Sequence, residues 1–325
     1  MIGGIYTAIP TVHVVVPCYN EEPALGATDA KLREILGRMV ASGEVSRESR
    51  VVYVDDGSTD GTWGLIERLA RAEGVEGVKL SRNSGKENAL WAGMMRSRGS
   101  CDALITIDAD LQDDPEAIPE FVRAYAGGAE IVYGVRSSRE KDKLFKRVTA
   151  RGFYGFMRRM GAGIVNDHAD YRLLGKRALE ALSEFTEVNL FVRGLVPLLG
   201  FQTVEVPHAR GERIAGETKY PFSKMAALAL QGITSLSVKP IHWITFIGAA
   251  FALLGVGIAL YALISLIVGK AVAGWTSLMI SIWIIGGAQL IAIGLIGEYV
   301  GKAYMEAKRR PRYIVERIAT GGGGE

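Results

Sequence analysis

The sequence predicts an α/β catalytic unit built on a mostly parallel sheet, followed by two membrane-spanning helices. Three observations carry this. Short β-branched runs alternate with helical patterns over residues 12–135. Gly- and Asp-rich turns follow those runs. Beyond residue 240 come two long segments without a charged side chain. The strands are expected at 12–16, 50–54, 78–80, 103–107 and 131–135, with helices at 27–42, 63–73, 86–98 and 115–125. Strands alternating with helices at this spacing form a sheet covered on both faces, whose ligands bind beyond the carboxyl ends of the strands.

Residues 139–160 interleave Arg139, Lys141, Lys143, Lys146, Arg147, Arg151, Arg158 and Arg159 with Leu144, Phe145, Val148, Phe153, Tyr154, Phe156 and Met157. That is a basic amphipathic helix, suited either to packing on the sheet or to lying on anionic lipid. Residues 221–240 form a second, interfacial amphipathic segment. Segments 241–268 and 275–296 each exceed the roughly 20 residues that cross a hydrocarbon core, with His242, Trp243 and Trp275 near their ends as interfacial anchors. Lys270 is the one charge in the short loop between them, whereas Lys302, Lys308, Arg309, Arg310 and Arg312 follow the second segment. The positive-inside rule then puts both termini and the catalytic unit in the cytoplasm and the loop outside. The expected organisation is a catalytic domain over 1–220, the interfacial segment 221–240, a two-helix anchor over 241–301 and a basic tail over 302–325. The strand-like composition of 310–317 suits pairing between the subunits of a homo-oligomer.

Composition narrows the function. A net charge of +3 with hydrophobic content of 49 % gives no basis for nucleic-acid binding. Cys18 and Cys101 are too few and too far apart for a metal centre or a disulfide framework, and read as buried thiols of a reducing compartment. The first residues lack the basic flank and cleavage site of a signal peptide. No phosphate-binding G-x-x-x-x-G-K-[ST] loop is present.

The chemistry concentrates where strands end. The run 103–107 leads into Asp108-Ala109-Asp110-Leu111-Gln112. In extended backbone, Asp108, Asp110 and Gln112 share one face. Carboxylates there read either as a solvated acidic turn before the helix starting near Pro115 or as ligands of a divalent cation, Mg²⁺ or Mn²⁺, completed by a substrate diphosphate. A second strand ends in Asp55-Asp56-Gly57-Ser58-Thr59-Asp60. Asp55 or Asp56 can accept from a base N–H or a ribose hydroxyl, and Thr59 or Asp60 can cap the helix that follows. The first strand ends in Pro17-Cys18-Tyr19-Asn20-Glu21-Glu22, where Tyr19 can stack on a base and Glu21 accept from it.

The segments PCYNEE, VVYVDDGSTDGTW, LSRNSGKENALWAG, ITIDADLQDDPEAIP, IVYGVRSSR and DYRLL resemble those of the inverting family-2 glycosyltransferases of GT-A fold. They are most similar to the branch of polyprenyl-phosphate hexosyltransferases and dolichyl-phosphate mannose synthases. The resemblance covers about residues 12–240, and the tail GEYVGKAYMEAKRRPRYIV extends it to nearly the whole chain. DDGSTDGT together with DADLQ is specific to this fold; either alone is less so. The resemblance implies a nucleotide-sugar donor, with uridine as the nucleoside, and a polyprenyl-phosphate acceptor in the bilayer. It implies that Pro17, Tyr19, Glu21, Asp55 or Asp56, and Lys86 contact the nucleoside. It implies that Asp108, Asp110 and Gln112 hold the cation against the diphosphate. Arg136 and Arg151 would lie near the acceptor phosphate, and Asp170-Tyr171-Arg172 beside the sugar. The loop 213–220 resembles the family's flexible acceptor loop, with Arg213 and Lys219 facing the lipid phosphate; Thr218 stands where Ser is common. A phosphate oxygen is already an ionised nucleophile, so no strong base is needed, and His13, His168, His208 and His242 read as structural. Asp170 would orient sugar hydroxyls or stabilise oxocarbenium character.

Two other readings compete. A processive polysaccharide synthase of the same superfamily would carry Q-x-x-R-W, yet none of the five Trp residues follows an Arg. An inactive membrane-anchored scaffold would have no use for DADLQ. The sequence leaves the sugar unassigned.

Overall fold

The computed structural model describes residues 9–136, 168–188, 190–209, 239–268 and 274–321. The basic helix 139–160, the loop 213–220 with Arg213 and Lys219, Arg151, and the interfacial segment up to residue 238 lie outside them.

One unit is an α/β domain that includes residues 310–321. Its elements in chain order are β1 (Val12–Cys18), α1 (Glu22–Ala41), β2 (Arg50–Asp55), α2 (Thr62–Leu69), β3 (Val75–Leu80), α3 (Lys86–Ser97) and β4 (Ala103–Thr106). A 3₁₀ turn (Pro115–Ala117) leads into α4 (Ile118–Ala126) and β5 (Ile131–Arg136). Then follow β6 (His168–Gly175), α5 (Lys176–Ser183), the short α6 (Val192–Leu195) and β7 (Thr203–His208), and finally β8 (Val315–Thr320). The eight strands form one sheet in the order β7-β5-β6-β4-β1-β2-β3-β8. β4, β1, β2 and β3 run parallel, as do β5 and β7. β6 lies antiparallel between β4 and β5, and β8 antiparallel on the outer edge of β3.

The strands and helices expected between residues 12 and 135 all form, with shifts of a few residues at their ends. β1 is buried along its length because helices cover both faces. Val12, Val14 and Val16 pack with Leu25, Ile35, Phe121 and Tyr125 of α1 and α4. Val15 packs with Leu90, Trp91 and Met94 of α3. Gly93 makes that second contact close: a Cβ there would lie 2.8 Å from Val54 Cγ2 and still nearer Val15 Cγ1.

The tail differs from the one expected. Residues 315–320 pair with β3 of the same chain, Glu76 opposite Thr320 and Leu80 opposite Val315. They cover an edge that would otherwise expose unpaired backbone groups, so residues 315–317 of the strand-like segment 310–317 pair within the chain. Arg312 stacks over Trp91 at 4.6 Å and donates to Phe185 O at 2.9 Å.

The second unit contributes α7 (Lys239–Ile267) and α8 (Trp275–Lys308). Both are long and apolar enough to cross a membrane. They carry outward-facing Phe246, Leu253, Leu290 and Ile291, all more than two-thirds exposed.

Candidate active site

The carboxyl ends of β1, β2 and β4 open onto a cleft of about 400 Å³. It is lined by Pro17, Cys18, Tyr19, Glu21, Asp56, Asn83, Gly85, Lys86, Ala89, Asp108, Ala109 and Asp110. The cleft therefore collects, from distant parts of the chain, most of the donor-side residues expected from sequence.

Its floor is made by turns that hold one another. After β1 the chain enters the left-handed region at Asn20 (φ 55°), where Asn is among the tolerated residues. Asn20 N donates to Ser58 Oγ at 3.0 Å, and Asn20 Oδ1 accepts from Thr59 N at 2.8 Å. Asp60 accepts from Thr62 N at 3.0 Å and from its hydroxyl at 2.6 Å; the N-cap of α2 is nevertheless Gly61, one residue further on than the Thr59 or Asp60 expected, and no side chain caps it. Gly57, at φ +67°, presses so close to the next turn that a Cβ would stand 2.5 Å from the backbone at Arg82 and Asn83. Only glycine fits both the dihedral and the space.

Asp55 and Asp56 divide sharply. Asp56 lines the cleft, and its oxygens accept from Ser84 N at 2.7 Å and Gly85 N at 3.0 Å. It thereby fixes the turn from which α3 starts. Asp55 is fully buried behind it and is not among the lining residues. Its Oδ1 accepts from Ser58 N at 3.3 Å, while its Oδ2 has no partner among the described residues. Burial raises both carboxyls above their ordinary range.

The acidic pair after β4 does not sit on extended backbone. β4 ends at Thr106, and Leu111 takes a left-handed conformation (φ 51°), an unfavourable one for a branched side chain. The alternation that would put Asp108, Asp110 and Gln112 on one face therefore breaks. Asp108 and Asp110 line the cleft; Gln112 does not, and its N–H donates to Asp110 Oδ1 at 3.1 Å. Among the described residues no cluster of three His, Cys, Asp or Glu side chains could hold a metal on its own.

Positive charge comes from Lys86, the first residue of α3. Its ammonium lies 2.7 Å from Asp108 Oδ1, 2.9 Å from Asp108 Oδ2 and 2.8 Å from Asp170 Oδ2. Burial alone would lower its pKa; the two carboxylates outweigh that and hold it above the usual lysine range. Burial likewise pushes the Asp108 carboxyl up, with Lys86 opposing. Asp170 arrives on β6, whose antiparallel direction puts its N-terminal end at the carboxyl ends of the parallel strands. Besides Lys86 it meets Arg172 Nη2 at 2.8 Å and Arg193 Nη2 at 3.2 Å. Against the effect of burial, these three cations hold Asp170 well below the usual carboxylate range. Arg172 is completely buried; its Nε and Nη1 have no partner among the described residues.

Arg193 was missed by sequence reasoning, as was Glu87, whose Oε2 accepts from Val192 N at 3.0 Å and so steers the helix carrying Arg193. The available signal was a lone Arg inside the apolar run 190–199. Arg136 is not among the lining residues. Its Nε lies 3.1 Å from Oδ1 of the buried Asp113, which His208 Nε2 approaches at 3.8 Å. Of the histidines, His13 and His208 are buried and His242 is exposed. Cys18 and Cys101 are buried free thiols.

Residues 13–183 match the family described as Glycosyl transferase family 2. The chain belongs to that family. Members adopt the GT-A fold, to which this mostly parallel sheet and its cleft correspond, and the protein is a glycosyltransferase. Among curated relatives, the Bacillus subtilis protein named uncharacterized glycosyltransferase YkoT is 46 % identical over 94 % of this chain and 91 % of its own length. The Escherichia coli K12 protein named prophage bactoprenol glucosyl transferase homolog is 38 % identical over 94 % of this chain and 99 % of its own. Among solved structures, mannosyl-3-phosphoglycerate synthase from Rubrobacter xylanophilus overlaps 68 % of this glycosyltransferase and 71 % of its own chain. Its identity is 17 % and its TM-score 0.46.

Proposed function

We propose that this family-2 glycosyltransferase moves a hexose or N-acetylhexosamine from a nucleotide sugar, UDP-linked by our reading, onto polyprenyl phosphate at the cytoplasmic face of the membrane. The observation that carries the reading is the cleft itself. An exposed tyrosine, two acidic strand ends and a lysine surround a space of about 400 Å³. The same chain carries two helices apolar enough to hold a lipid acceptor's membrane. The names of relatives that act on bactoprenol agree with that acceptor.

In this reading Tyr19 stacks on the base, Glu21 accepts from it, and Asp56 shapes the turn against which the nucleoside lies. Asp108 and Asp110 fit a divalent cation, Mg²⁺ or Mn²⁺: both are oxygen donors in an open cleft, and a diphosphate supplies the ligands that the protein does not. When bound, that cation neutralises charge on the departing diphosphate. The acceptor's phosphate oxygen attacks the anomeric carbon, forming one C–O bond as the bond to the nucleoside diphosphate breaks, so the configuration inverts. No side chain has to remove a proton. Asp170, kept ionised by Lys86, Arg172 and Arg193, cannot serve as an acid; it accepts from sugar hydroxyls and offsets positive charge developing on the ring. Arg136, with Arg151, Arg213 and Lys219, supplies cations for the lipid phosphate, and Arg suits that task through its two-pronged donation.

The experiment separates donor from acceptor. Arg213→Ala and Lys219→Ala should raise the polyprenyl phosphate needed for half-maximal rate and slow transfer, while UDP binding measured without lipid stays as in the parent. Loss of UDP binding with normal lipid dependence would place the 213–220 loop in the donor site. Both termini are cytoplasmic in this reading. A cysteine at Ala273, in a chain lacking Cys18 and Cys101, should react with an impermeant reagent added from outside.

A further inference from the structure

One ammonium at the cleft meets three carboxylate oxygens, donating hydrogen bonds to two of them, Asp108 Oδ2 and Asp170 Oδ2. Lys86 Nζ spans both oxygens of Asp108, at 2.7 and 2.9 Å, and reaches Asp170 Oδ2 at 2.8 Å. A divalent ion on either Asp108 oxygen, at the usual distance of about 2.1 Å, would stand no further than about 5 Å from that ammonium. Two such cations repel strongly in a partly desolvated cleft. Lys86 and a divalent cation therefore compete for Asp108 in this arrangement.

The surroundings make the exchange feasible. Lys86 heads its helix, and its side chain is 46 % exposed, so it can swing without repacking the core. Asp170 keeps Arg172 and Arg193 when Lys86 leaves, whereas Asp108, which among the described residues pairs with no other cation, needs a replacement. The donor's diphosphate brings both a destination for the ammonium and ligands for the incoming ion.

We propose that Lys86 is an internal counter-ion that holds the cation position on Asp108 until the nucleotide arrives, so that donor and divalent cation bind together rather than singly. The proposal rests on the reading of Asp108 and Asp110 as the cation's ligands. It makes Lys86 a gate on cation entry in addition to its contact with the donor. Since coupling between two ligands is reciprocal, UDP tightens the cation and the cation tightens UDP by the same factor.

The test titrates the full chain in detergent with Mn²⁺, free ion being read by electron paramagnetic resonance, with and without UDP. Lys86→Gln should bind Mn²⁺ about tenfold more tightly than the parent in the absence of UDP, and the mutual tightening by UDP should shrink correspondingly. Lys86→Arg, which keeps the charge, should retain weak nucleotide-free binding. Unchanged or weaker Mn²⁺ binding in a folded Lys86→Gln protein, checked by circular dichroism, overturns the proposal. Asp108→Asn in the Lys86→Gln background should abolish the tightened binding. If it does not, the cation sits elsewhere and the reading of Asp108 fails, an outcome distinct from failure of the gate.

Discussion

Acidification should destabilise the catalytic unit through His13. This residue lies on β1, 1 % exposed, and both its ring nitrogens are buried without a partner among the described residues. Burial lowers its pKa from 6.5 to about 4; Arg50 adds to the lowering and Glu76 opposes it. The unfolded chain takes up a proton near pH 6.5 that the folded chain refuses until pH 4. The stabilisation is therefore complete above pH 6.5 and is lost as the pH falls towards 4. A shift of this size makes the loss between pH 7 and pH 4 about 3 kcal/mol. Buried carboxyls with raised pKa values, such as Asp55, Asp56 and Asp108, act in the opposite direction over part of this range. The informative quantity is thus the difference between the parent and His13→Leu. Chemical denaturation at pH 7, 6, 5 and 4, followed by far-ultraviolet circular dichroism, should show the stability difference between the two shifting by about 3 kcal/mol in favour of His13→Leu from pH 7 to pH 4. Parallel curves would show that His13 is protonated in the folded state and that its surroundings are more polar than the structure has them.

Other perturbations address the site and its supports. Asp108→Asn should slow transfer at least ~100-fold with the fold intact, and excess chelator should have the same effect on the parent; steady-state rates check both. Gly57→Ala should lower stability by about 1–3 kcal/mol, because the new methyl meets the backbone at Arg82 and Asn83, and should weaken UDP binding by displacing the turn at Asn83 and Gly85. A thermal melt with and without UDP reads both effects. Arg312→Ala removes the stack on Trp91 and the bond to Phe185 O, a loss of about 2 kcal/mol, and should raise hydrogen exchange in the segment leading to Arg193.

What the sequence disclosed follows from how local each signal is. β1 to β5 are legible because runs such as Val14-Val15-Val16 have no other plausible fate than a sheet buried on both faces. β6 escapes notice because Asp170 and Arg172 interrupt its apolar residues. Their charges are tolerable only because tertiary structure pairs them with each other and with Lys86 and Arg193. β8 shows in sequence as the strand-like stretch 310–317 of a charged tail, but its partner, the edge of β3, is brought to it only by the fold. In the site, Tyr19, Glu21, Asp56, Lys86, Asp108 and Asp110 meet as the motifs suggest. Gln112 does not, since one left-handed residue at Leu111 cancels the two-residue alternation. Arg193 shows in sequence only as a lone Arg in an apolar run, because its partner Asp170 is brought to it by the fold of the sheet.

The central claim is transfer of a sugar to a lipid phosphate. The full chain in detergent, supplied with Mg²⁺ or Mn²⁺, radiolabelled UDP-sugars and undecaprenyl phosphate, should move label into a butanol-extractable lipid. That label should be absent when the lipid phosphate is omitted and when Asp108 is replaced by Asn. Label that stays in the aqueous phase with every donor, or that accumulates in a polymer whether or not the lipid phosphate is present, would contradict the account.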